Sequence, residues 1–238
     1  MFACFFNEVK CLSVLQRARR SYSSALVLTN KALQSPEVVA RNVTIATVLL
    51  LDLFEKFSTG DGYDTAPPMT HLQGAIAIFK LRNGKQFADP TTMSMFRYLS
   101  LDLLLNCLKY DTQVPEDFVH LHNQADQYVD ANDWEWQFMD LMVRLAQLKA
   151  TLQMGVSANE ASMTLKDLDD EYIRMLQGNS EYLCQDMPEY NFSIAAPSRF
   201  PGVCPGAEVL GYTDVFLVRN LLNELLQRNI RCQHDTAA

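Results

Sequence analysis

Between Val39 and Phe57 apolar residues recur at alternating steps of three and four: Val39, Val43, Ala46, Leu50, Leu53, Phe54 and Phe57. That spacing is the period of an α-helix. Ile45, Val48, Leu49 and Leu51 widen the stripe almost to the full circumference. A helix apolar on nearly every side belongs in the middle of a bundle, so Leu50 and Phe54 are expected to face other helices. Ser35-Pro36-Glu37 supplies its start: a side-chain acceptor for free N–H groups, a proline where no donor is needed, and an acid at the positive end. Gly60 and the polar run through Pro68 close it. Such a helix needs several others around it, and 238 residues with 48% hydrophobic side chains are enough to supply them.

The same period runs through the rest of the chain. The first twenty residues are expected to form a lead-in helix. Met69 to Arg82 is a helix that Asn83-Gly84 should stop with a left-handed cap. Asp89-Pro90 opens another, through Met95, Phe96, Leu99, Leu103 and Leu104 to Leu108, and Val114-Pro115 a further one. Phe138, Leu141, Met142, Leu145, Leu148 and Leu152 mark an amphipathic helix with Asp140, Arg144, Gln147 and Lys149 outside; Leu165, Leu168, Tyr172, Met175 and Leu176 mark the next. Residues 187–211 carry Pro188, Pro197, Pro201 and Pro205, an irregular connection, and a last helix follows from about Tyr212 to Arg231. No segment alternates with the period of a strand. The expectation is an all-α fold, a single helical domain over 1–238 with eight to nine antiparallel-packed helices.

Charge narrows the function. The net charge is -8, and it is uneven: up to Lys109 there are 12 Lys and Arg against 8 Asp and Glu, whereas Asp111 to Asp140 holds eight acids and no Lys or Arg. Such a balance disfavours a surface built to neutralise phosphates. Met1 to Phe6 is apolar but meets Glu8 and Lys10 too early for a signal peptide, and Val43 to Leu51 is far too short to span a bilayer, so no membrane role is expected. The six cysteines, Cys4, Cys11, Cys107, Cys184, Cys204 and Cys232, contain no C-x-x-C pair; reduced thiols, and no metal, are expected of them.

Candidate chemistry is sparse. His120 and His122 point about 200° apart on a helix and cannot grip one metal, while His122 with Asp126 lacks a third ligand; a solvated acidic helix is the plainer reading. Nucleophile elbow, phosphate loop, dinucleotide fingerprint and zinc-protease motif are all missing, and Gly60-Asp61-Gly62 reads as a loop. No catalytic residue, cofactor or metal ligand is assigned. Asp52, on the most apolar helix, pairs with Lys56 one turn on, and a salt bridge at the helix surface is expected. Arg17, Arg19 and Arg20 form the one basic cluster, read as a solvated face.

Several segments, taken in order, resemble the fungal-specific transcription factor domain, the helical regulatory region that follows a six-cysteine binuclear zinc cluster in many fungal regulators. The resemblance is carried by Tyr22, Ala25 and Leu26 with Asn30, Ala32 and Leu33; by Leu49, Leu50, Leu53, Phe54 and Glu55; by His71, Gly74 and Ala75; by Leu81, Arg82, Gly84, Gln86 and Phe87; and by Val114-Pro115. It covers about residues 12 to 118. Tyr212, Asp214, Asn220, Arg228 and Ile230 continue it more weakly. Read physically, Tyr22, Leu26, Glu55, His71, Gly74, Arg82, Gly84 and Pro115 are architecture. Gly74 should permit close helix contact, His71 should bond a backbone carbonyl, and Arg82 with Gly84 should finish their helix.

The family's zinc cluster is missing: Cys4 and Cys11 share a six-residue gap but lack every other required cysteine. The resemblance therefore implies a transcription-regulatory module, nuclear and not an enzyme, that acts through protein partners such as the transcription machinery or a co-regulator, with a small-molecule effector in the core as a further option. A truncated regulator, a gene fragment and a stand-alone module all fit that implication. The competing reading is a stand-alone helical scaffold acting on partners in cytoplasm or nucleus. Neither reading assigns the chain sequence-specific DNA binding.

Overall fold

The computed structural model describes residues 12–58, 69–153, 158–178 and 217–227, and these residues are all-α. The order is α1 (Leu12–Ala32), α2 (Pro36–Val39), α3 (Asn42–Ser58), α4 (Thr70–Leu81), a 3-10 turn (Gly84–Ala88), α5 (Pro90–Tyr110), α6 (Glu116–Asp126), α7 (Trp134–Gln153), α8 (Ala158–Gly178) and α9 (217–227). Among the described residues no helix is long and apolar enough to cross a membrane. The chain gathers into two compact units: residues 1–110 with 114–129, and residues 111–113 with 130–238.

In the first unit α3 is the axis. Glu55 meets His71 while Asn42 meets Arg82, so α4 runs antiparallel to α3. Asn42 also meets Thr92 while Lys56 meets Asp102, so α5 runs parallel to it. Beneath them lies an aromatic cluster. Phe96 of α5 touches Phe79 of α4, Phe87 of the 3-10 turn and Phe118 of α6, at centroid distances of 5.2, 4.9 and 5.8 Å. In the second unit Phe138, Leu141, Met142 and Leu145 of α7 are buried, as are Leu165, Leu168 and Tyr172 of α8 and Val218, Leu222 and Leu225 of α9. Arg144 grips Glu171 through two guanidinium nitrogens, at 2.9 and 2.5 Å, joining α7 to α8. Burial pushes the Tyr172 phenol up to about 12, against the pull of Arg219.

Four expectations change. The lead-in helix does not stop at residue 20; α1 runs unbroken to Ala32 because nothing between carries a break signal. The helix expected from Pro36 is two, since the chain turns at Ala40 and Arg41 before α3 begins. At that corner the Thr44 hydroxyl donates to the Val38 carbonyl at 2.5 Å, tying the start of α3 to α2. Leu50 is not core but 64% exposed. The buried side of α3 is carried by Ile45, Val48, Leu49 and Leu51, and Val43 and Leu50 share its outer face, seven residues apart. Lastly, Asn83 is extended at φ -80 and Gly84 is not in the left-handed region, so Asn83-Gly84 does not make a left-handed cap; the chain passes straight into the 3-10 turn. Residues 187–211, Cys4, Cys11 and Gly60-Asp61-Gly62 lie outside the described residues.

Candidate functional site

Three of the motif residues, far apart in sequence, meet in the first unit. Tyr22 projects from α1 and donates its hydroxyl to Glu55 of α3. His71, at the start of α4, places Nε2 3.3 Å from that hydroxyl and 3.1 Å from Glu55 Oε1. The Tyr22 ring stacks on Phe54 at 4.7 Å, which holds the phenol in place. Burial, then the hydrogen bond to Glu55 and the negative charges of Glu55 and Asp52, lift the Tyr22 phenol far above its ordinary value, so it stays a donor at any physiological pH. The His71 ring thus bonds side chains and not the expected backbone carbonyl, because Glu55 of α3 and Tyr22 of α1 both face it.

A second polar group, built on Asp52 and Lys56, flanks Glu55 on α3. Asp52 is only 5% exposed at its side chain, and Lys56 binds it at 2.6 Å. This pair is not at the helix surface as expected: Asp52 is buried and Lys56 part-buried, and α5 contributes a third member, Asp102, which also binds Lys56. Asn106 donates to the Asp102 backbone carbonyl at 2.7 Å and to its carboxylate at 3.2 Å. Burial raises the Asp102 carboxyl to about 6, outweighing Lys56. Tyr98, half-buried near both carboxylates, is also pushed well above the ordinary phenol range by desolvation and by the charges of Asp102 and Asp52. Asp102 and Tyr98 were missed by sequence reasoning; an acid set among Leu101, Leu103 and Leu104 was the available signal.

Arg82 builds a third group, at the far end of α4. Its guanidinium donates to Asn42 Oδ1 at 2.8 Å, and Asn42 donates to Asp89 Oδ2 at 2.9 Å. Asp89 caps α5 as expected, accepting the Thr92 amide at 3.0 Å and its hydroxyl at 2.7 Å. Those bonds from Thr92 and Asn42 hold the Asp89 carboxyl below its usual range, while burial lowers Arg82. Stability from Asp89 is therefore fully present above about pH 4 and lost as the pH falls further.

The other motif residues stand apart from these clusters. Leu26 is half-buried on α1. Pro115 ends the chain's approach to α6, its carbonyl accepting from Phe118 at 3.0 Å. Gly84 sits opposite Gln124, where an added Cβ would make ordinary contact at 3.7 Å. At Gly74 a Cβ would meet nothing within 4 Å, so the expected close helix contact is not there. Gly74→Ala should accordingly stabilise the protein by about 0.5–1 kcal/mol, the helix-propensity difference, read as a raised urea midpoint. Tyr212, Asp214, Arg228 and Ile230 lie outside the described residues, and Asn220 is exposed on α9.

His122 is buried and stacks beside Phe118 at 5.9 Å, so the solvated reading of α6 fails for it while Asp126 stays exposed. Arg17, Arg19 and Arg20 are exposed on α1 as expected. What the three polar groups do mechanically is join helices: α1 to α3 and α4, α3 to α5, and α4 to α3 and the start of α5. Compared with known proteins, the chain matches no family model, no curated protein and no solved structure.

Proposed function

We propose that this chain is a protein-interacting regulatory domain of the kind found in fungal transcription regulators, nuclear, without catalysis and without a DNA-reading module of its own. The observation that supports the reading is the convergence of Tyr22, Glu55 and His71. They come from three separate segments of the ordered motif series, and in space they form one hydrogen-bonded junction. A net charge of -8 opposes approach to a polyanion, and three exposed arginines on α1 would give only weak, salt-sensitive, sequence-blind contact. Tethered to an unrelated DNA-binding domain the chain should change reporter output, whereas the chain alone should enrich no motif from random duplexes at physiological salt. A defined motif selected by the purified chain overturns the reading. A tethered chain that leaves the reporter silent favours instead a helical scaffold with no role in transcription.

A further inference from the structure

The outer side of the α1–α3 pair carries an apolar strip with exposed cations along its α1 edge. A groove of about 320 Å³ lies there, lined by Ala25, Leu28 and Thr29 of α1, Val38 of α2, and Val43 and Thr47 of α3, among others. Leu28 is 66% exposed, and Val43 and Leu50 64% each. Ala25, Leu28 and Ala32 stand at i, i+3 and i+7, a two-turn wall about 10 Å long, and Val43 and Thr47 at i and i+4 form the facing wall, whose line the exposed Leu50 continues on the same face of α3 beyond the groove. Two parallel aliphatic rails of this length match the apolar edge of one amphipathic helix.

Charge selects which helix. Between Leu12 and Leu51 the chain has five cations, Arg17, Arg19, Arg20, Lys31 and Arg41, against the single acid Glu37. At 100° per residue Arg17, Arg20 and Lys31 fall within about 80° of Leu28, on its outer side, and all three are exposed. The stripe Val43–Thr47–Leu50 has no charge at all. A basic helix would be repelled here and a polar one would leave the aliphatic rails wet. We propose that this groove docks an amphipathic helix of a partner protein whose rim is acidic, its apolar side chains between Leu28 and Val43 and its carboxylates toward Arg17, Arg20 and Lys31. The inference rests on the groove's lining and charge and does not depend on the transcriptional reading.

The test uses the full chain and a fluorescein-labelled peptide of about 14 residues, long enough for helix to form on binding, with Leu at i, i+3, i+4 and i+7 and Asp or Glu elsewhere. A second peptide keeps the leucines and carries Lys at the acidic positions. By fluorescence anisotropy the acidic peptide should bind saturably and the basic one at least about tenfold more weakly. Leu28→Asn and Val43→Asn, both at exposed positions and therefore compatible with folding, should each weaken the acidic peptide roughly tenfold, with unchanged circular dichroism. Arg20→Glu combined with Lys31→Glu should weaken it several-fold and flatten its salt dependence. Equal binding of the two peptides, no saturable binding, or indifference to the asparagine variants overturns the proposal. So does a dimer in sedimentation that Val43→Asn dissolves, which assigns the groove to a second copy, or displacement of the peptide by random duplex DNA.

Discussion

Lys56→Met will destabilise the protein by about 3 kcal/mol at neutral pH, the low end of the range for breaking a buried ion pair by removing one partner, because Lys56 and Asp102 keep about a fifth of their side chains exposed. Methionine fills nearly the volume of the lysine stem, so the loss is electrostatic. Lys56 binds both Asp52 and Asp102, and without it the buried Asp52 and the part-buried Asp102 face each other with no lysine between them. The loss should depend on pH in a direction that Asp102 sets. Its carboxyl is raised to about 6 by burial, so what it contributes is fully present below about pH 4 and is lost as the pH rises through 6. The penalty of Lys56→Met is therefore greatest above pH 6 and shrinks toward pH 4, where the Asp102 carboxyl is protonated. Asp102→Asn should flatten that dependence in an otherwise native chain. Urea denaturation between pH 4 and 7 reads both effects; a Lys56→Met penalty constant across the range would show that the lysine acts by packing alone.

Phe96→Ala is expected to cost about 3–5 kcal/mol, the range for emptying a large aromatic site in a packed interior. Phe96 is wholly buried and stands where α4, the 3-10 turn, α5 and α6 meet, with Phe79, Phe87 and Phe118 on its flanks. Three rings on three separate segments cannot close on the vacated space without moving the backbone of each, so the cavity persists. Phe96→Leu, which keeps most of the volume, should recover more than half of the loss. Comparing the two denaturation midpoints separates cavity from ring geometry. Equal losses would mean that edge-to-face contact, and not volume, carries the site.

Much of the architecture was legible because helix signals are local. The apolar spacing of α4, α5, α7 and α8, the Asp89-Pro90 start and the Val114-Pro115 start each need only a few neighbouring residues to be read, and each stands where the spacing placed it. The motif residues Tyr22, Glu55, His71 and Arg82 were also visible as a series. What each touches was not: His71 finds two side chains in place of a carbonyl, Arg82 finds Asn42, and Gly74 finds nothing.

By itself, then, the sequence determined most of the helices, the Asp89 cap of α5 and the excess of cations in the first half, since backbone hydrogen bonding and charge depend on short range or on composition, whereas Ser35 makes no side-chain cap bond and Asn83-Gly84 no left-handed one. Only the tertiary structure decided which side of α3 is covered. That helix is apolar nearly all round, so its periodicity carries no information about which face meets neighbours. Packing against α1, α4 and α5 buries Ile45, Leu49 and Asp52 and leaves Val43 and Leu50 outside. The same long-range pairing set the charge of the interior. Asp52 and Lys56 announce each other across one helical turn, but Asp102 lies fifty residues beyond Asp52, and only the parallel docking of α5 on α3 makes three groups of two.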